Sequence, residues 1–164
     1  MKYINKNLLI EKIKIHDIAK KFGTPIYCYS YKQLKENINN FRKSFKSFSP
    51  LICFAVKSNA NANLIREIKK FGLGADVVSM GELMMALKAG IDPKKIVFSG
   101  VGKTSNEISY AIDKKILLIN AESKSEINEI ERIAKFKKKI VNIGIRLNPN
   151  TDAKTLKQIS TGKK

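Results

Sequence analysis

Short apolar runs alternate with helical patterns through most of the chain. Five runs have strand length and recur at nearly even intervals, at 51–57, 75–79, 96–99, 116–120 and 141–147. The segments between them place apolar residues at helical spacing, as at Ile127, Ile130 and Ile133. Strict alternation of strand and helix predicts parallel strands joined by crossover helices, which is an α/β fold.

Three of the segments between strands begin with the signal for a helix start. A hydroxyl residue followed three positions later by Glu forms a capping box, in which both side chains accept hydrogen bonds from free backbone N–H groups. The sequence predicts such boxes at Ser79-x-x-Glu82, Thr104-x-x-Glu107 and Ser123-x-x-Glu126.

The region before residue 51 has a different pattern. Leu34, Ile38, Phe41 and Phe45 form an apolar stripe that predicts a helix over 32–45. Ahead of it, a turn at 23–25 leads into a predicted strand over 25–29, and the sequence does not indicate which sheet this strand joins.

The number of strands leaves two architectures open. A closed (β/α) barrel needs eight strands and typically about 250 residues, so 164 residues would form only part of one. An open, doubly wound sheet can be complete at this length. The period alone does not separate an incomplete barrel from a small doubly wound domain.

The composition favours a cytoplasmic globular protein. The formal net charge is +18, which invites a nucleic-acid-binding hypothesis, but the basic residues are spread along the chain and nearly all are lysines. Cys28 and Cys53 are far apart and lie in apolar runs, as expected for buried thiols in a reducing compartment. We find no apolar stretch of signal-peptide or membrane-spanning length, so we expect no membrane partner.

Lys57 is the strongest candidate for chemistry. It closes the apolar run 51–57 and is followed at once by the polar residues 58–61. Strand alternation places it on the face of Cys53 and Ala55. A lysine at the mouth of an apolar cavity loses its proton more readily than an exposed one, and an unprotonated amine attacks aldehydes.

Three charged residues near the predicted strand ends accompany Lys57. Asp76 lies inside a strand, where a carboxylate requires a partner, and Lys57 on the preceding strand is the nearest cation by topology. Glu82 has two candidate roles, as a helix cap and as a site residue, and it can fill both. Arg146 follows a buried run, and its structural alternative is an ion pair with a carboxylate such as Glu82.

Two other motifs do not support a function. The segment Gly100-Val-Gly-Lys-Thr104 resembles the end of a phosphate-binding P-loop, but the leading glycine of that motif would fall at Val97. The only histidine, His16, lies far from every predicted strand end, so neither a histidine metal site nor a histidine-based triad is available.

Several motifs, in the right order, make the chain similar to the diaminopimelate decarboxylases. These belong to a family of pyridoxal-phosphate enzymes that includes ornithine and arginine decarboxylases and shares a barrel with alanine racemase. The matching motifs are Phe22-Gly-Thr-Pro-Ile-Tyr-Cys-Tyr-Ser30, Phe54-Ala-Val-Lys-Ser-Asn-Ala-Asn61, Gly74-Ala-Asp-Val-Val-Ser-Met-Gly-Glu-Leu83, Phe98-Ser-Gly-Val-Gly-Lys-Thr104, Arg146-Leu-Asn-Pro149 and Ile159-Ser-Thr-Gly162.

The resemblance implies a fold, a cofactor and a reaction. Lys57 would bind the aldehyde of pyridoxal 5'-phosphate, while Asp76, Glu82 and Arg146 would line the cofactor. The reaction would convert meso-2,6-diaminopimelate to L-lysine and CO2 in a homodimer. Residues 1–30 would form an N-terminal helix and strand that belong to a second β domain, and 31–164 an incomplete alanine-racemase-like barrel of about five strand-helix units.

Two departures from the family pattern accompany this resemblance. Leu156 follows Asp152-Ala-Lys-Thr155, where relatives carry a histidine, and the relatives continue well beyond Lys164 into the rest of the barrel. We therefore expect an N-terminal fragment that is inactive alone. The alternatives are a non-catalytic pyridoxal-phosphate-binding barrel, a decarboxylase of another basic amino acid, and a basic RNA-binding protein.

Overall fold

The computed structural model of the protein describes residues 1–45 and 47–149. The chain divides into two compact units, one spanning Met1–Pro50 and one that begins at Leu51. The predicted domain boundary at residue 30 lies inside the first unit, and the division of the chain into functional domains stays a prediction. No helix in the described residues is long and apolar enough to cross a membrane.

The first unit begins with a small antiparallel sheet in the order β1-β2-β3. Its elements are β1 (Lys2–Ile4), β2 (Asn7–Ile10), β3 (Ile13–Lys14), α1 (Ile15–Phe22) and α2 (Tyr31–Lys43). Ile4 pairs with Asn7, and the two residues between them both have positive φ, at 48° and 61°. Positive φ at both central positions is the geometry of a type I′ hairpin turn.

The predictions for this unit are partly wrong. Helix α2 confirms the predicted helix over 32–45, with Ile38 on its buried side. The predicted strand over 25–29 is not formed, because no described strand pairs with this segment and a single strand leaves its backbone groups without partners. The three short strands before α1 were not predicted.

In the residues that the structure describes, the second unit contains a five-stranded parallel sheet and four α-helices. Its elements are β4 (Cys53–Ala55), α3 (Ala62–Lys70), β5 (Gly74–Val77), α4 (Met80–Lys88), β6 (Ile96–Phe98), α5 (Ser105–Lys114), β7 (Leu118–Ala121), α6 (Lys124–Phe136) and β8 (Ile143–Ile145), with 3₁₀ turns at Val56–Ser58 and Pro93–Lys95. All five predicted strands are confirmed, each with a shorter extent than the apolar run that predicted it.

The order of the strands resolves the choice between the two architectures. The sheet runs β4-β5-β6-β7-β8, so spatial order follows chain order and every neighbouring pair is parallel. A doubly wound sheet reverses its strand order at a switch point, and this sheet does not. Right-handed crossovers in one direction place all the helices on one face. The fold is therefore the α/β arrangement of a partial (β/α) barrel.

The helix-facing side of the sheet forms the core. Its positions in β5, β6 and β7 are fully or almost fully buried, and they include Val77, Phe98 and Ile119. Apolar residues of the helices, such as Ile65 and Leu83, are completely buried as well. Burial of an Ile, Leu or Phe side chain contributes about 1.5–3 kcal/mol, so this layer holds the sheet and helices together.

Candidate functional site

Three polar side chains form a hydrogen-bonded row on the face of the sheet opposite the helices. The Ser99 hydroxyl, directly after β6, donates to Asp76 Oδ1 in β5 over 2.6 Å. Asn120 Nδ2 in β7 donates to Ser99 Oγ over 3.0 Å. All three residues are half-buried. The row, which we call the polar row (Asp76, Ser99 and Asn120), connects three adjacent strands near their carboxyl ends.

Gly144 in β8 makes space for this row. It pairs with Asn120 across the sheet, and a Cβ atom at position 144 would collide with Asn120 Oδ1. Only glycine therefore fits there while Asn120 keeps its present orientation. The next strand approaches the polar row closely because position 144 has no side chain.

Lys57 does not occupy the strand position that the sequence predicted. Strand β4 ends at Ala55, and Lys57 lies in the following 3₁₀ turn, where the Ser58 hydroxyl donates to Ala55 O over 2.7 Å. The tight turn replaces strand alternation, so the side chain is exposed. Within the described residues it makes no ion pair. The expectation of a lysine enclosed by apolar neighbours is wrong for this structure.

Asp76 has a different partner from the one expected. The predicted ion pair with Lys57 is absent from the described part of the chain, and the carboxylate accepts from the Ser99 hydroxyl instead. A neutral donor on the adjacent strand is enough because Asp76 is only half-buried. Its Oδ2 atom has no hydrogen bond within residues 1–45 and 47–149, so Asp76 can still accept one from a ligand.

The three predicted helix caps are confirmed in their hydroxyl half. Ser79, Thr104 and Ser123 each accept a hydrogen bond from the backbone of the Glu three residues later. Only Glu107 returns the bond to its own cap residue and completes a capping box. The carboxylates of Glu82 and Glu126 accept instead from the backbone N–H of the residue that precedes the cap, which is Val78 for Glu82 and Glu122 for Glu126.

These three glutamates differ in the use of their second oxygen. Glu107 Oε1 accepts from Met80 N over 2.9 Å, and Glu126 Oε1 accepts from Lys103 Nζ over 2.8 Å. The backbone N–H groups of Thr104 and then Met80 lower the pKa of Glu107. Glu82 Oε1 has no hydrogen bond in the described chain, although α4 lies beside the 3₁₀ turn that carries Lys57. Glu82 therefore caps its helix and retains one free oxygen.

Arg146 pairs with a carboxylate, but with a different one from that suggested. Its Nη1 lies 3.3 Å from Glu122 Oε1, whereas the suggested partner was Glu82. The Glu122 side chain is 9% exposed and the Arg146 side chain 53% exposed. Glu122 directly follows β7, as Arg146 follows β8, so topology brings them together at the carboxyl ends of adjacent strands.

Sequence reasoning missed two residues that organise this end of the sheet. Glu122 could have been found from its position just after a predicted strand. Lys103 was considered only as part of a P-loop, whereas its Nζ contacts two backbone carbonyls and Glu126. The predicted departure from the family pattern at Leu156 lies outside the described residues.

A family model matches most of the chain. Residues 31–164 match the model described as "Pyridoxal-dependent decarboxylase, pyridoxal binding domain". The diaminopimelate decarboxylase of Aquifex aeolicus is 44% identical over 99% of this chain and 38% of that protein. The chain thus spans less than two fifths of the length of this relative.

Solved structures share the fold. The crystal structure of diaminopimelate decarboxylase from Helicobacter pylori complexed with L-lysine is 43% identical, with a TM-score of 0.87 over 91% of this chain and 38% of that one. The arginine decarboxylase of Paramecium bursaria Chlorella virus is 19% identical with a TM-score of 0.72, which is a likeness of fold alone.

Proposed function

Because this chain belongs to the pyridoxal-dependent decarboxylases, through their pyridoxal-binding domain, we propose that it forms the amino-terminal part of a diaminopimelate decarboxylase. The observation that carries the proposal is identity of 41–46% to several diaminopimelate decarboxylases over 86–99% of this chain. The reaction proposed is loss of CO2 from meso-2,6-diaminopimelate to give L-lysine.

The residues present fit pyridoxal phosphate. An amine at a strand end, free of any described carboxylate, is the group that an aldehyde requires. Asp76 and Glu82 each keep one carboxylate oxygen without a hydrogen bond in the described chain, and both flank the strand end that carries Lys57. When bound, pyridoxal phosphate supplies an aldehyde and a ring that accepts the electron pair left by departing CO2.

Lys57 is proposed to hold the cofactor covalently. Its amine attacks the aldehyde carbon only when unprotonated, so a proton must leave Nζ before the bond forms. Lys57 is exposed in the 3₁₀ turn that follows β4, so its side chain is free to change rotamer. Lys57 would hold the cofactor through Nζ, and whenever its amine is not bonded to the cofactor it could carry a proton.

Asp76, Glu82 and Arg146 are proposed to orient the cofactor and substrate. Asp76 is held by Ser99, so its free oxygen has a defined direction from which to accept a hydrogen bond. Arg146 uses Nη1 on Glu122, and its remaining N–H groups can donate to an anionic group of the ligand. Fixed donors and acceptors of this kind lower the cost of ordering a bound ligand.

An activity assay tests the proposal. We expect the protein expressed from its complete reading frame, supplied with pyridoxal phosphate, to release CO2 and L-lysine from meso-diaminopimelate. Lys57→Ala should abolish turnover, because no amine remains to hold the cofactor. Lys88→Ala, which removes an exposed lysine of α4, is the matched control and should retain full activity.

The same assay distinguishes the alternatives. Faster decarboxylation of ornithine or arginine would contradict the proposed substrate. Cofactor binding without decarboxylation of any of these amino acids would indicate a non-catalytic carrier. Activity that survives Lys57→Ala would contradict the role of this residue.

The homodimer and the cytoplasmic location are proposed from family membership alone. Light scattering on the complete protein should give the mass of two chains. A mass of one chain would contradict the proposed dimer.

A further inference from the structure

Lys103 is a buried lysine that the proposed reaction does not use. It lies in the loop between β6 and α5, and its side chain is 1% exposed. Its Nζ donates to Gly100 O over 2.6 Å, to Asn120 O over 2.7 Å and to Glu126 Oε1 over 2.8 Å. These three bonds use every donor that an ammonium group has.

The surroundings of Lys103 offer its ammonium group three oxygen acceptors, two backbone carbonyls and one carboxylate. The two carbonyls belong to the loop after β6 and to strand β7, and the Glu126 side chain is only 10% exposed. A buried charge is tolerated when it is both paired and fully hydrogen-bonded, and removal of one partner leaves the other uncompensated. Lys103 therefore joins three segments, the loop after β6, strand β7 and helix α6.

A continuous set of hydrogen bonds leads from Lys103 to Arg146. Glu126 uses its other oxygen to accept from Glu122 N over 2.7 Å. Glu122 Oε1 in turn accepts from Gly100 N over 3.1 Å and lies 3.3 Å from Arg146 Nη1. Gly100 thus binds Lys103 through its carbonyl and Glu122 through its N–H. Together these contacts fix the direction in which the Glu122 carboxylate faces Arg146.

We propose that Lys103 is a positioning residue for Arg146, acting through Glu126 and Glu122, so that the guanidinium is held in the orientation that meets an anionic group of the bound ligand. The identity of that ligand as pyridoxal phosphate, or the substrate attached to it, rests on the proposed function. Lys103 does not touch the ligand in this account. Its ammonium protons are directed to the protein, unlike those of a P-loop lysine, which reaches a phosphate.

The first experiment measures cofactor affinity in a double-mutant cycle on the complete protein. Lys103→Met removes the ammonium and keeps most of the side-chain volume. We expect it to weaken pyridoxal phosphate binding about tenfold, equivalent to about 1.4 kcal/mol. In an Arg146→Ala background the same change should alter binding less than about twofold, because the residue it positions is gone.

A matched control separates positioning from general destabilisation. Asp113→Asn also removes ion pairs between α5 and the segment after α6, those with Lys137 and Lys139, but at the other end of the helices. It should lower the melting temperature without changing cofactor affinity. If Lys103→Met does not fold, Glu126→Gln takes its place in the cycle, because it keeps an acceptor for Lys103 and removes the charge.

The second readout does not involve the cofactor. The guanidinium NMR signals of Arg146, assigned by their loss in Arg146→Lys, should shift and exchange faster with water in Lys103→Met and not in Asp113→Asn. Unchanged Arg146 signals, or equal losses of affinity for Lys103→Met with and without Arg146, would overturn the proposal. Failure of the unmodified protein to bind pyridoxal phosphate would count against the proposed function, while the NMR comparison would still test Lys103.

Discussion

Gly144 is a residue at which a single added methyl group should disturb the polar row. A Cβ atom there would collide with Asn120 Oδ1 and lie 3.2 Å from Leu118 Cδ1. We expect Gly144→Ala to destabilise the protein by about 1–3 kcal/mol, the usual cost of overpacking. Equilibrium urea unfolding of the variant and the unmodified protein measures this difference.

The control for this prediction is Gly102→Ala. A Cβ atom at position 102 would meet no heavy atom within 4 Å, so this substitution should leave stability nearly unchanged. Combining Gly144→Ala with Asn120→Ala should restore part of the loss, since the colliding oxygen is removed. If the double variant is as unstable as the sum of the single variants, the collision is not the cause.

Residue types and strand positions were predictable, whereas specific partners were not. The sequence places Asp76 inside a strand and Arg146 after one, which is enough to predict a charged strand end. It does not give distances between strands, so Lys57 was assigned to Asp76 and Glu82 was suggested for Arg146. The structure instead pairs Asp76 with Ser99 and Arg146 with Glu122, each partner lying at the end of an adjacent strand.

The loops after β5, β6 and β7 repeat one design at the scale of elements. Each helix starts with a hydroxyl cap and an acid in its first turn. Two of the acids also bond the preceding repeat, Glu107 at the first residue of α4 and Glu126 at Lys103 in the loop before α5. The capping signal made these helix starts predictable. The hairpins at the amino terminus were not predictable, because their strands have two to four residues and their turns contain Asn, Lys and Glu at positive φ.

Ion pairs also connect α5 to the segment after α6, at the carboxyl ends of the two helices, and they predict that stability depends on pH. Asp113 at the end of α5 bonds Lys137 over 2.7 Å and Lys139 over 2.8 Å. The hydrogen bonds of Lys137 and then Lys139 lower the pKa of Asp113 from 3.8 to about 2. A lowered carboxyl pKa stabilises the folded state above the unfolded value, and this contribution is lost as pH falls through the folded value.

We therefore expect the stability difference between the unmodified protein and Asp113→Asn to shrink as pH falls from about 4 to about 2. Chemical unfolding of both proteins across this range measures it. The pKa of Glu129 is also lowered to about 2, by hydrogen bonds of Arg132 and then Ser105. Because Glu129 is present in both proteins, its contribution to stability cancels in the difference. A constant difference over the range would contradict the assignment of these ion pairs.

At the scale of the whole molecule, the arrangement of the strands determines where the candidate site residues lie. Five βα repeats were evident from the apolar pattern, but their lateral order was not, because strand pairing is a long-range property. Parallel pairing of all neighbouring strands puts their carboxyl ends along one edge, which is where barrels bind ligands. Lys57 follows β4, the polar row lies near the ends of β5, β6 and β7, and Arg146 follows β8, so all of them lie along this edge.

Borohydride reduction of the complete protein with pyridoxal phosphate bound is the most direct test. Reduction makes the bond between the cofactor and a lysine permanent, so peptide mass spectrometry identifies the residue. We expect the label on Lys57 alone and its disappearance in Lys57→Arg, with Lys88→Arg labelled as the unmodified protein is. A label on Lys103 or another lysine, or a label that persists in Lys57→Arg, would contradict the account.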